Sequence, residues 1–201
     1  MLQATDFIVQ DFGDGLVDGN RMGRGLIERD LNTHPIKMGK AFNPAELAII
    51  PRDEWSERLK ELTAKKMLLS DIRNRHEIVS LDQNGQGYCW VYGVGSAFML
   101  ARAAANMPFV RPSCHSLACR IKNFRDEGGW GALAVEEWEK VGCMSVDEWP
   151  EKSMSRQHNT RDNWARAEEF KITESWMDMD PSAWDRNMTF DQFVTLSLIH
   201  I

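Results

Sequence analysis

The stretch that decides the fold is Asp82-Gln-Asn-Gly-Gln-Gly-Tyr-Cys-Trp90, which is followed by residues 91–107. The nine-residue stretch predicts a turn-rich loop, because Asn84, Gly85 and Gly87 tolerate positive φ angles. Residues 91–107 contain no proline and a single charged side chain, and nearly every other position is apolar or small. A helix that is apolar all round is a buried helix. We therefore expect a loop that leads into a central buried helix, too short to cross a bilayer.

Cys89 is predicted to lie where this loop enters the helix. The first N–H groups of a helix have no acceptor within it, and the helix dipole favours negative charge at that end. A thiolate is stabilised in such a place. Cys89 is therefore the candidate nucleophile, since a thiolate present near neutral pH can attack a carbonyl carbon.

The segment resembles the active-site segment of papain-like cysteine peptidases, whose usual form is Gln-Gly-x-Cys-Gly-x-Cys-Trp. Matched residue by residue, Cys89 falls on the nucleophile and Trp90 on the tryptophan after it. Gln83 falls on the glutamine whose side-chain amide helps to form the oxyanion hole. The match departs at Asn84, where the family usually has glycine, and at Tyr88, where it normally has a small residue.

A further departure concerns the family's disulfide. Gln86 stands where the family normally has a disulfide cysteine, and the partner's Cys-x-Gly-Gly motif here reads Asp126-Glu127-Gly128-Gly129. Both halves of the bridge are missing together, as expected of a relative that does without it. The resemblance therefore implies an active-site loop that is not held by a disulfide.

The resemblance also implies a substrate cleft. The family's paired glycines present their backbone to the substrate in strand fashion, where a side chain would block the approach, and this role passes to Gly129 and Gly128. Trp130 is either a residue beside the pocket for the second residue on the acyl side or a plain core tryptophan. The implied substrate is a peptide or protein, and the resemblance implies neither a cofactor nor a metal.

The implied fold class is α+β, papain-like, consisting mainly of the helical lobe with its central buried helix plus the start of the β-rich lobe. Residues 1–76 are expected to be an N-terminal extension with an amphipathic helix over 52–73, either a pro-segment or an ordinary packing helix. Residues 77–195 would form a partial peptidase domain. The alternating stretch 170–176 predicts a strand, the first of the β-rich lobe.

Other helices are predicted from their ends. One is expected over residues 113–122, beginning at Ser113, and another over 132–141, stopped by Gly142. Thr189 is a plausible cap of a last helix, with Gln192 at the capping-box spacing. The central helix is expected to end at Asn106 and Pro108.

The family's base and its orienting residue are expected beyond residue 201. In the family, the histidine and the asparagine follow the helix that begins near Thr189, with a strand in between, which excludes His200. Residues 196–201 look like a translated sequencing-library adaptor, so we expect a truncated reading frame that ends naturally near Thr195. The chain as written is then an incomplete peptidase with little or no activity.

Composition limits the partners and the compartment. The 201 residues are 43% hydrophobic, enough for one sizeable core, and the formal charge of −6 argues against a nucleic-acid partner. The sequence shows no signal peptide and no apolar run long enough for a membrane span. The four cysteines have neither metal spacing nor a small secreted framework, which favours a reducing compartment such as the cytoplasm.

Two metal interpretations are rejected. Asp11, Asp14 and Asp18 lack the spacing of an EF-hand loop. Cys114 and Cys119 are about 140° apart around a helix and do not converge, so core thiols are expected. The neighbouring His115 is expected to be a surface or hydrogen-bonded histidine rather than a ligand.

Two other functions remain open at this point. One is a binding or structural module that has the papain-like fold without catalysis, which a Tyr88 side chain crowding the cleft would favour. The other is papain-fold acyl transfer, which uses the same nucleophile with a different acceptor. The plainest interpretation, an ordinary buried cysteine at position 89, conflicts with the surrounding glycines, Trp90 and the paired loss of the disulfide.

Overall fold

The computed structural model describes residues 16, 17, 20, 21, 33, 48–174 and 189–199. Within these residues, a pair of two-residue antiparallel strands, β1 (Leu16–Val17) and β2 (Asn20–Arg21), precedes seven helices. The helices are α1 (Trp55–Ala64), α2 (Leu69–Arg75), α3 (Cys89–Ala104), α4 (Cys114–Lys122), α5 (Gly131–Val141), α6 (Arg161–Ala167) and α7 (Phe190–Ile199). This mostly helical architecture agrees with the predicted helical lobe.

Helix α3 is the predicted central helix, and its position in the core is confirmed. It packs against α2, α4 and α5, and the side chains that it buries include Trp90, Val91, Phe98 and Met99. Long apolar side chains and small residues alternate along it, which lets the neighbouring helices approach closely. Because three helices surround α3, its first residue has a fixed position relative to all of them.

The only charged side chain of α3 is also buried. The Nε atom of Arg102 donates to Glu174 Oε1 over 2.5 Å, and the guanidinium lies 4.3 Å from the centroid of the Phe98 ring. A buried charge requires a partner of this kind, since an isolated one loses its hydration without compensation. The helix ends at Ala104, and Asn106 follows with a left-handed φ of 53°, as predicted for a helix stop.

The single amphipathic helix predicted over residues 52–73 is wrong. A 3-10 turn over Arg52–Glu54 leads into α1, and α2 begins only at Leu69. Between the helices, Lys66 has a φ of 53°, and the N–H of Met67 donates to the carbonyl of Leu62 over 2.9 Å. This is a Schellman motif, which ends a helix and usually has glycine at the left-handed position. A lysine there gives no warning in the sequence.

The prediction of a strand over residues 170–176 is also wrong for residues 170–174, which the structure describes. Glu168–Phe170 form a 3-10 turn, residues 171–174 form no strand, and the last two positions lie outside the described residues. The carbonyl of Phe170 accepts from the indole of Trp138 over 2.6 Å, and that of Lys171 accepts from Arg102 over 3.1 Å. Side chains of the helical core thus occupy the carbonyls that a strand partner would need.

Three predicted helix ends are confirmed. Helix α4 begins directly after Ser113, and α5 ends at Gly142, where an added Cβ would lie 1.7 Å from the carbonyl oxygen of Ala167. At the start of α7, the N–H of Thr189 donates to Gln192 Oε1 over 2.7 Å, and the N–H of Gln192 donates to Thr189 Oγ1 over 3.2 Å. This reciprocal pair is the expected capping box.

Helix α7 packs against α1. Arg52 and Asp191 form an ion pair with a 2.8 Å contact, and the N–H of Ile50 donates to Thr195 Oγ1 over 3.0 Å. No helix among the described residues combines the length and the apolarity needed to cross a membrane. Most of the N-terminal extension, including Asp11, Asp14, Asp18 and His34, lies outside the described residues, as does His200.

Candidate active site

The loop before α3 is a compact double turn. The N–H of Asn84 donates to Asp82 Oδ1 over 2.9 Å, and the N–H of Gln86 donates to the carbonyl of Gln83 over 3.3 Å. Asn84 and Gly85 have φ angles of 59° and 73°, which asparagine and glycine adopt at low cost. The predicted turn-rich loop is confirmed, and it ends at the first residue of α3.

Cys89 is that first residue, and its side chain is half-buried. The first amides of a helix have no acceptor within the helix. Neither the N–H of Cys89 nor the side-chain amide of the half-buried Gln83 has a hydrogen-bond partner in the described part of the chain. Both donors are therefore available to an oxygen that acquires negative charge nearby.

The other three cysteines differ sharply from Cys89. Cys114, Cys119 and Cys143 are buried, and all four cysteines are free thiols. Burial raises the pKa of Cys119 to about 11 and that of Cys143 to about 12, and it raises the pKa of Cys114 well above its usual range. These three thiols are core side chains, as predicted for Cys114 and Cys119, and they are protonated at neutral pH.

Tyr88 does not line an open cleft. Its side chain has no exposed surface, and its hydroxyl donates to the carbonyl of Arg125 over 2.9 Å. Its ring meets the His115 ring edge-on, with the centroids 5.3 Å apart. The large side chain beside Cys89 is thus part of the core, and the crowding that would favour a non-catalytic module is not observed.

Residues 128–130 lie beside the start of α3. The indole Nε1 of the buried Trp90 donates to the carbonyl of Gly87 over 2.9 Å. A Cβ added to Gly129 would lie 2.8 Å from two carbons of that ring, closer than such contacts occur. Trp130, half-buried and extended (φ −137°, ψ 154°), caps α5, and Gly128 is half-buried. Of the predicted cleft residues, the structure therefore packs Gly129 directly against Trp90, the neighbour of Cys89.

The loop is joined to two partners that the sequence did not identify as site residues. The N–H of Gly87 donates to Asp126 Oδ1 over 2.7 Å, and Gln86 Oε1 is hydrogen-bonded to His115 Nε2. Gln86 and Asp126 are the two positions at which the family resemblance locates its missing disulfide. The paired loss of these two cysteines was the one signal in the sequence that the loop at Gln86 lies close to Asp126.

None of the three described histidines hydrogen-bonds to Cys89. Both ring nitrogens of His115 are occupied, Nδ1 by Tyr92 Oη at 2.5 Å and Nε2 by Gln86. Burial lowers the pKa of His115 to about 4, so this ring is neutral at neutral pH. His158 Nε2 is bonded to the side chain of Gln157, and the half-buried His76 has an unpartnered Nε2.

Comparisons with protein-family models, with curated proteins and with solved structures find no match to this chain.

Proposed function

We propose that the chain is part of a papain-like cysteine peptidase in which the thiolate of Cys89 attacks the carbonyl carbon of a peptide bond. The main support is the position of Cys89, a half-buried thiol at the first residue of a buried helix. The N–H of Cys89 has no acceptor within the helix, and the three other cysteines are buried in the core.

The neighbouring residues take the roles that the resemblance implies. Attack by the thiolate places negative charge on the former carbonyl oxygen, and the N–H of Cys89 and the amide of Gln83 donate to it. Gly128 and Gly129 pair with the substrate backbone, and Trp130 lies beside the cleft. As in the family, a histidine takes the thiol proton and returns it to the leaving amine, a role that the proposal assigns to none of His76, His115 and His158.

The non-catalytic alternative lacks its main support. A binding module with the same fold would require Tyr88 to fill the cleft, but this side chain is buried and its hydroxyl donates to the carbonyl of Arg125. Retention of both Gln83 and Cys89 favours acyl chemistry, since a binding module needs neither. Acyl transfer to another acceptor shares its first step with hydrolysis, so formation of the acyl-enzyme is the event that both functions require.

The test uses a peptide p-nitrophenyl ester, because its leaving group departs as a stable anion and needs no proton from a histidine. We expect acylation of Cys89 near neutral pH, measured by nitrophenolate release and by mass spectrometry, at least about 10³-fold faster than that of N-acetylcysteine amide. The buried Cys114, Cys119 and Cys143 serve as internal controls, and Cys89→Ser should abolish the reaction. Acylation no faster than that of the small thiol would refute the proposal.

A further inference from the structure

Three consecutive residues attach the loop to the rest of the protein immediately before Cys89. The side chain of Gln86 is bonded to His115 at the start of α4, and the N–H of Gly87 donates to Asp126 Oδ1 over 2.7 Å. The hydroxyl of Tyr88 donates to the carbonyl of Arg125. Each of these bonds joins residues at least 29 positions apart in the chain. The conformation of the loop therefore depends on hydrogen bonds to distant segments as well as on the turns within the loop.

The bond to His115 has a defined direction. The ring has no exposed surface and is neutral, so one ring nitrogen donates and the other accepts. The Nε2 atom faces the carbonyl oxygen of Gln86, which only accepts, so the hydrogen is on Nε2, and Nδ1 accepts from the hydroxyl of Tyr92. The amide nitrogen of Gln86 in turn donates to Met154 Sδ over 3.0 Å. The donors thus follow one direction, from the Tyr92 hydroxyl through His115 and Gln86 to the sulfur of Met154.

We propose that Asp126 and His115 are positioning residues that hold the backbone of the loop so that the nucleophile and the oxyanion donors face the same carbonyl group. This inference rests on the proposed function, because it assigns to both residues an effect on acylation of Cys89. Neither residue contacts the thiol, and each acts through the loop residue that it binds.

The connections within the loop explain how this effect arises. Gly87 lies two positions before Cys89, and its carbonyl accepts from the indole of Trp90. The N–H of Gln86 donates to the carbonyl of Gln83. A shift of Gln86 and Gly87 therefore moves the amide of Cys89 and the side chain of Gln83 relative to each other. Donors that are fixed before the reaction stabilise an oxyanion without reorganisation.

The test compares Asp126→Ala, which removes the acceptor, with Asp126→Asn, which keeps an oxygen of the same size. Two rates are measured at Cys89, acylation by the peptide ester and alkylation by iodoacetamide, whose reaction forms no oxyanion. We expect Asp126→Ala to lower the ratio of acylation to alkylation about tenfold, and Asp126→Asn to stay within about threefold of the native ratio. A residue that only stabilises the fold would change both rates together or neither.

Gln86→Met provides the matching test of the bond to His115, because it keeps the length of the side chain and removes its polar atoms. We expect the same fall in the ratio, about tenfold. A native ratio in both Asp126→Ala and Gln86→Met would overturn the inference while leaving the proposed function intact.

Hydrogen exchange at the amide of Gly87 tests the attachment without relying on acylation. Exchange should be slow in the native chain and in Asp126→Asn, and at least about tenfold faster in Asp126→Ala. Equal exchange in all three proteins would overturn the inference even if the native chain were not acylated. Lack of acylation in the native chain, with the exchange pattern as expected, would contradict the proposed function and with it the positioning role.

Discussion

Replacing Gln83 by alanine is expected to slow the acylation of Cys89 by about 10²–10³-fold, the usual loss when one oxyanion-hole donor is removed. The side-chain amide of Gln83 has no partner among the described residues, so it is available to the oxyanion and stabilises little else. The free energy of unfolding should therefore change by less than about 0.5 kcal/mol. The measurements are nitrophenolate release from the peptide ester and urea unfolding.

Gln157→Ala is the matched control, because it removes the same side chain from an exposed position in the 3-10 turn Arg156–His158. Its acylation rate should equal that of the native chain. If Gln83→Ala and Gln157→Ala are acylated equally fast, Gln83 is not an oxyanion donor, and the strongest residue-level support beside Cys89 is lost.

Replacing Gly129 by alanine is expected to destabilise the protein by about 1–3 kcal/mol, the usual cost of overfilling a packed interior. The new Cβ would lie 2.8 Å from the Trp90 ring. That ring is buried, and its Nε1 is bonded to the carbonyl of Gly87, so it cannot move aside without breaking this bond. The requirement for glycine at this position thus arises from the core, in addition to any pairing with a substrate. Urea unfolding measures the effect.

Gly93→Ala is the control for this substitution. Gly93 lies within α3, and nothing is within 4 Å of a Cβ added there. Alanine is favoured over glycine inside a helix, so this variant should be more stable than the native chain by about 0.5–1 kcal/mol. Equal stability of the two variants would show that Trp90 yields to the new methyl group, and the packing explanation for Gly129 would be wrong.

The parts of the fold that follow from local rules were predicted from the sequence. The start of α3 at Cys89, the stop at Gly142 and the capping box of Thr189 and Gln192 depend on residue types within one or two turns. The break after α1 was missed because Lys66, and not a glycine, takes the left-handed conformation. Asparagine, as at positions 84 and 106, signals this conformation in the sequence, but a lysine does not.

The failures elsewhere concern contacts between distant residues. Alternation of polar and apolar residues after position 170 predicted a strand, but the carbonyl of Phe170 is bonded to Trp138, 32 positions away. The bonds of Asp126 and His115 to the loop likewise join separate segments. Helical periodicity and turn chemistry describe neighbours in the chain, so they predicted the position of Cys89 but not the residues that hold its loop.

The most direct measurement is the rate at which iodoacetamide alkylates Cys89 near pH 7, determined by mass spectrometry of the modified peptide and compared with that of free N-acetylcysteine amide. We expect Cys89 to react at least about tenfold faster than the small thiol, while the buried Cys114, Cys119 and Cys143 remain unmodified in the folded chain. Alkylation of Cys89 no faster than that of the small thiol would contradict its role as an activated nucleophile.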